Sequence, residues 1–135
     1  MIAVAEEIAD ALDGHPISRT LPTRAGIAIT ADVAVRDAMI AAAADHSEPG
    51  AQLWTHIARR LRGQPRAEAL TVAAACYCLS DDSIRAGIAA HAALEEAQAT
   101  ETPPPPLALM LLTALRSGLP PQQIRRALID GTTRD

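Results

Sequence analysis

Arg66-Ala67-Glu68-Ala69-Leu70-Thr71-Val72-Ala73-Ala74-Ala75-Cys76-Tyr77-Cys78-Leu79 is the stretch whose reading decides the fold. Wound at 3.6 residues per turn, its apolar side chains cover nearly the whole circumference of a helix. A helix of that kind is either enclosed by its neighbours or set in a bilayer. Its longest apolar run, Ala69 to Leu79, is interrupted by Thr71 and falls well short of the ~18 residues that a membrane span needs. It therefore reads as the buried centre of an all-helical domain. Cys76 and Cys78 lie two apart on it, about 200° around the axis, too divergent for a shared metal or a disulfide. With nothing cationic beside them, they read as small core residues.

The next segment, Ser83 to Ala97, follows after Ser80-Asp81-Asp82, acids suited to capping a helix N-terminus. It carries two apolar faces. One is the small-residue stripe Ala86, Ala89, Ala90, Ala93 and Ala97, which invites close approach of a neighbouring backbone and is expected to serve as interface material. The other is Ile84, Ile88, His91 and Leu94. The pair of segments, Arg66 to Ala97, is expected to form the central hairpin.

Upstream, Ala51 to Arg62 sets Trp54, Ile57, Ala58 and Leu61 on one stripe, with Gln52, His56 and Arg59 facing away. Residues 46–50, with Pro49, read as a break before it. A helix capped by Thr30 or Asp32 runs to Asp45, with Val35, Ala38, Met39 and Ala42 at helical spacing. Residues 15–30, which hold Pro16, Pro22 and Gly26, read as an irregular connection with Ile27 and Ile29 in a short extended piece. Ile2 to Asp13 is amphipathic, with Val4, Ile8, Ala11 and Leu12 opposite Glu6, Asp10 and Asp13.

Downstream, residues 100–106 end in four prolines and read as a stiff linker. Leu107, Met110, Leu111, Ala114 and Leu115 mark another helix, closed by Gly118 with Leu119 as its hydrophobic companion. Pro120 and Pro121 open the last one, which buries Ile124, Ala127 and Leu128, and residues 131–135 are expected to fray. The whole is a single expected domain over residues 1–135, a compact all-α bundle of six to seven short helices.

Composition supports this reading. Thirty of 135 residues are alanine, Phe is absent, and Trp54 and Tyr77 are the only large aromatics, so both are expected to anchor the core. The net charge of −4 argues against a general nucleic-acid coat. Glu6 and Glu7 stand where a signal peptide would be positive, so a cytoplasmic protein with no membrane contact is expected.

From Ala67 to Ala97 the cadence resembles a tetratricopeptide-type hairpin, with Ala74 and Tyr77 in the first helix and Ala86 and Ala93-Leu94 in the second. Asp81 stands where that pattern has its turn glycine and Gln98 where it has its terminal proline, and there is no second copy. Val35-Arg36-Asp37-Ala38, Trp54 with Ala58-Arg59-Arg60-Leu61, Ala67-Glu68-Ala69-Leu70 and Gly118-Leu119-Pro120-Pro121 resemble the C-terminal helical region of the actinobacterial domain-of-unknown-function family 4192, over residues 30 to 129. The resemblance implies helical hairpins and an actinobacterial or phage setting, with the family's larger N-terminal portion expected to be lacking. It implies no reaction.

The chemistry is sparse. No phosphate loop, dinucleotide fingerprint, nucleophile elbow or zinc motif is present. His91 and Glu95 stand one turn apart without a third ligand, and read as a partly buried histidine with its partner. No catalytic residue, metal or cofactor is assigned. The strongest signal is arginine: Arg59, Arg60, Arg62 and Arg66 fall within eight residues with no acid among them, and Arg125 and Arg126 form a second pair able to fold near them. Guanidinium groups suit carboxylate and phosphate alike. The expectation is a non-enzymatic interaction or scaffold module with a protein partner, a second copy of itself included. The alternative is a nucleic-acid-associated regulatory protein using the arginines, and an uncharacterised enzyme comes third.

Overall fold

The structure, a computed structural model, describes the backbone of residues 2–133 and the side chains of residues 4–129. Among the described residues there are eight α-helices, one 3-10 turn and no strand. The helices are α1 Ile2–Leu12, α2 Leu21–Ala31, α3 Val33–Ala42, α4 Ser47–Arg59, α5 Gly63–Leu79, α6 Ser83–Ala99, α7 Pro106–Arg116 and α8 Pro121–Thr133, with the 3-10 turn at Ala44–His46.

Helix α5 is the centre. It touches α2, α3, α4, α6, α7 and α8, and most of its residues are buried. The hydroxyl of buried Thr71 donates to the Ala67 carbonyl at 2.8 Å, so the one polar break in the apolar run is satisfied within its own helix. At its end Asp81 takes φ 59°, while the Asp82 and Asp81 amides donate to the Tyr77 and Cys78 carbonyls at 2.9 and 3.1 Å. These are the paired bonds of a Schellman stop. The Asp82 carboxylate then accepts from the Arg85 amide at 3.0 Å and opens α6. The stop and the cap share one tight turn, so α5 and α6 form a hairpin with the most extensive helix packing in the molecule. The alanine stripe of α6, from Ala86 to Ala97, is buried in that packing. It is an internal seam, not the external interface expected of it.

Helix α4 covers α5 with Trp54, Ile57 and Ala58, all fully buried as the periodicity predicts. The Trp54 indole N–H has no hydrogen-bond partner among the described residues. Tyr77 is only half-buried, a lesser anchor than expected. The three-residue link Arg60 to Arg62 turns the chain sharply from α4 into α5.

Several expectations are corrected. Residues 21–31 form a helix, not an irregular connection, which raises the count above six or seven. Pro22 occupies its first turn, where a missing N–H leaves no bond unmade. Gly26 is a contact: a Cβ there would lie 2.8 Å from Leu61 Cδ1 and 3.3 Å from Pro65 Cβ. Ile29 is buried in this helix and Ile27 is exposed, so neither is in an extended piece. Pro49 likewise sits in the first turn of α4, not in a break. The buried face at α3 is Arg36, Met39, Ile40 and Ala43, with Val35 half-buried against the core, whereas Ala38 and Ala42 are exposed. On α7 Leu111 is buried and Leu107, Ala114 and Leu115 pack half-buried against the core as expected, with Ala108 and Leu112 added and Met110 outside; on α8 Ala127 is exposed. Residues 131–133 continue α8, while 134 and 135 lie outside the described residues.

Helix α1 is tied down by charge. Glu7 accepts from the Ser18 amide at 2.6 Å and pairs with Arg24 of α2. These hydrogen bonds, the Ser18 amide first and Arg24 next, lower its pKa to about 2. The acidic first helix is thus engaged by Arg24, and not by the arginines of the α4–α5 link.

Candidate interaction surface

The first candidate group divides in space. Arg59 ends α4, Arg60 caps it, Arg62 precedes α5, and Arg66 lies in the first turn of α5. The first three are exposed and Arg66 is half-buried. None of the four makes a side-chain hydrogen bond or ion pair among the described residues. The octet that is free of acids in sequence gains one in the fold, because the Glu96 carboxylate of α6 accepts from the Gly63 amide at 2.7 Å. That contact was invisible from the local sequence, being thirty-three residues away. It places a negative charge at the N-terminus of α5, where the helix dipole favours it.

Arg125 and Arg126 do not join this group. The Arg125 guanidinium donates to the Leu79 carbonyl at 2.6 Å, at the opposite end of α5 from Arg66. Thirteen residues of helix put those ends about 20 Å apart. Arg125 satisfies a carbonyl at the C-terminus of α5, and Arg126 is exposed.

Two of the quoted motifs meet in the core. Arg36 of α3 lies 2.8 Å from Asp37 and 3.8 Å from Glu68 of α5, all three largely buried. Burial holds the Glu68 carboxyl above its usual range, against the pull of the Arg36 guanidinium. The group joins α3 to α5. Burial also pushes both thiols, Cys76 and Cys78, up to about 12, which makes them inert as nucleophiles. No cluster of three or more His, Cys, Asp or Glu among the described residues is placed to hold a metal ion. His91 is exposed rather than partly buried, with its Nδ1 3.2 Å from Glu95 Oε1.

The feature the sequence reading undervalued is the outer side of α6 and α7. Ile84 and Ile88 are 79% and 65% exposed. With Gly87, His91, Ala92 and Glu95 of α6, and Leu112 and Arg116 of α7, they line an open groove of about 510 Å³. Met110 and Leu109 lie exposed on the same short helix α7. The face Ile84, Ile88, His91 was legible as apolar, but its exposure was not, because the alanine stripe competed for the same role.

A family model described as "Domain of unknown function (DUF4192)" matches residues 1–122. The chain belongs to the DUF4192 family. The match takes in α1 and α2, which lie upstream of the motifs that suggested it, and ends within the first turn of α8. No curated protein and no solved structure matches the chain. In this DUF4192 chain no helix among the described residues is long and apolar enough to cross a membrane. The motif residues Arg36, Asp37 and Glu68 join two helices, and Gly118 and Leu119 stop a third, so the roles visible for them are structural.

Proposed function

We propose that this DUF4192 chain is a non-enzymatic interaction module that engages a polypeptide through the groove between α6 and α7. The observation that carries the reading is the exposure of Ile84 and Ile88, one turn apart on α6, in a groove that continues past Leu112 to Arg116 of α7. Single exposed apolar residues are ordinary, whereas a row at i and i+4 on one helix, continued across to the next, is the material of a recognition groove. A photo-crosslinking side chain placed at Ile84 or Ile88 in the native host tests it. Adducts from these positions and none from exposed Gln98 are expected; their absence at both groove positions overturns the reading.

A second reading, a nucleic-acid-associated regulatory role, rests on the unpaired Arg59, Arg60, Arg62 and Arg66. It predicts binding that weakens steeply with salt, with a shallower slope for each Arg→Ala. Gel-shift assays at low salt on duplex and single-stranded DNA and RNA decide it. No retardation at about tens of micromolar protein at low salt, where phosphate contacts bind most tightly, removes it.

A further inference from the structure

We propose that the occupant of the α6–α7 groove is the same groove of a second copy of this chain, in an antiparallel, two-fold arrangement. The proposal rests on the interaction reading above and names its partner. Two observations carry it.

The first is the order of charge along the groove. Helices α6 and α7 are joined by the short segment 100–105 and run antiparallel, as the crevice shared by Ser83 and Leu115 shows. Arg116, at the end of α7, therefore lies at the Ile84 end of the groove, and Glu95 lies at the other end, eleven residues or about 16 Å along α6. Gly87, Ile88, Ala92 and Leu112 form the middle, and His91 lies beside Glu95 at 3.2 Å. A surface that is basic at one end, apolar between and acidic at the other complements itself when turned end over end. A two-fold axis lying in the interface and running across the helices brings Arg116 of each copy to the Glu95 end of the other, with the isoleucines closed between them.

The second is Gly87. Alanine is this chain's default filler, yet a glycine stands inside α6, at a cost of about 1 kcal/mol in helix propensity. Nothing within the fold requires it: no atom lies within 4 Å of where its Cβ would be. It lines the groove between Ile84 and Ile88. A missing Cβ at that point admits a helix from outside, and serves no helix within.

Light scattering on the intact chain across a concentration series to about 100 µM is the test, a range that detects even weak self-association. The expected mass is twice the 14.1 kDa of one chain. Gly87→Leu projects into open space, so it should keep the circular dichroism of the parent while raising the dissociation constant at least about tenfold. Arg116→Glu and Glu95→Arg should each weaken association, because each places like charges together, and the double variant should restore it by inverting the polarity of both copies. A chain that stays at 14.1 kDa throughout overturns the proposal, as does a dimer that Gly87→Leu leaves intact. A monomer whose groove still gives adducts in the host refutes the second copy and leaves the interaction reading standing, so the two fail separately.

Discussion

Helices α5 and α6 are each seventeen residues long, alanine-rich and joined by one turn, yet α5 buries eleven residues and α6 five. The difference lies in their surroundings. Six helices surround α5, and from Ala67 to Leu79 none of its residues is exposed. Helix α6 has α5 on one side and α7 beside it, and on its remaining side Ile84, Ile88 and His91 are exposed. Its alanines are consumed by the seam with α5, where small side chains let the backbones draw close. Its isoleucines, the larger apolar groups, are left outside. The enclosed helix explains why the chain folds, and the half-enclosed one is where a partner has room to bind.

The largest effect expected from breaking this arrangement is the loss of what encloses α5. Trp54→Ala removes the biggest fully buried side chain and should cost about 3 to 5 kcal/mol in chemical denaturation. A loss under about 1 kcal/mol would mean that α4 contributes little to the enclosure. Next comes the seam itself. Ala90→Leu forces a large side chain between α5 and α6 and should cost about 1 to 3 kcal/mol, whereas Ile88→Ala, two residues away on the open face, should change the stability of dilute protein by no more than about 0.5 kcal/mol. Equal costs at the two positions would erase the distinction between inner and outer faces.

This distinction was only half legible in the sequence. The enclosure of α5 was legible, because a segment apolar all round has one soluble solution. So was the stripe of α4, where Trp54 and Ile57 are too large to be mistaken for surface. The facing of α3 was legible only in part, since alanine is nearly as tolerable outside as inside and a stripe drawn through Ala38 or Ala42 points in no firm direction, whereas on α7 only Met110 turns out. The burial of Arg36 is hidden for a related reason. Its burial depends on Asp37 beside it and on Glu68 thirty-two residues away, a partner that periodicity does not reveal. Pro22 and Gly26 looked like breakers because their effect depends on position: Pro22 opens α2, and Gly26 admits Leu61. The groove was hidden because two apolar faces on one helix leave open which is covered.

The following effect is read as a slope with pH, and it contrasts the rim of the molecule with its centre. Glu7 is held at about 2, below its ordinary 4.5, so its contribution is full above pH 4.5 and is lost as pH falls through 2. Glu68 is shifted the other way by burial, so its protonated form fits the fold better, and stability falls as pH rises from 4.5 through its raised value. Glu7→Gln should flatten the acid limb of a denaturation-against-pH profile, and Glu68→Gln the limb above pH 4.5. If both variants flatten the same limb, one of the two environments is misassigned.

The smallest effect concerns how the paired helices end. Helices α1 and α7 stop at Gly14 and Gly118, with φ 96° and 73°, where glycine meets no steric penalty. Helices α5 and α6 make the same stop with side chains present, at Asp81 with φ 59° and Glu101 with φ 55°. The α6 stop is complete, since the Thr102 amide donates to the Ala97 carbonyl at 2.9 Å and the Glu101 amide to Gln98 at 3.2 Å. A left-handed residue with a Cβ is strained by roughly 1 kcal/mol, less for aspartate, whose short side chain bonds locally, than for glutamate. Glycine removes that strain but loosens the unfolded chain, so the net gain is a fraction of it. Glu101→Gly should therefore raise stability by up to about 0.5 kcal/mol, and Asp81→Gly by less. Should Asp81→Gly prove the more stabilising, the turn that joins α5 to α6 would be the more strained of the two, and the hairpin would hold together by its alanine seam in spite of its turn.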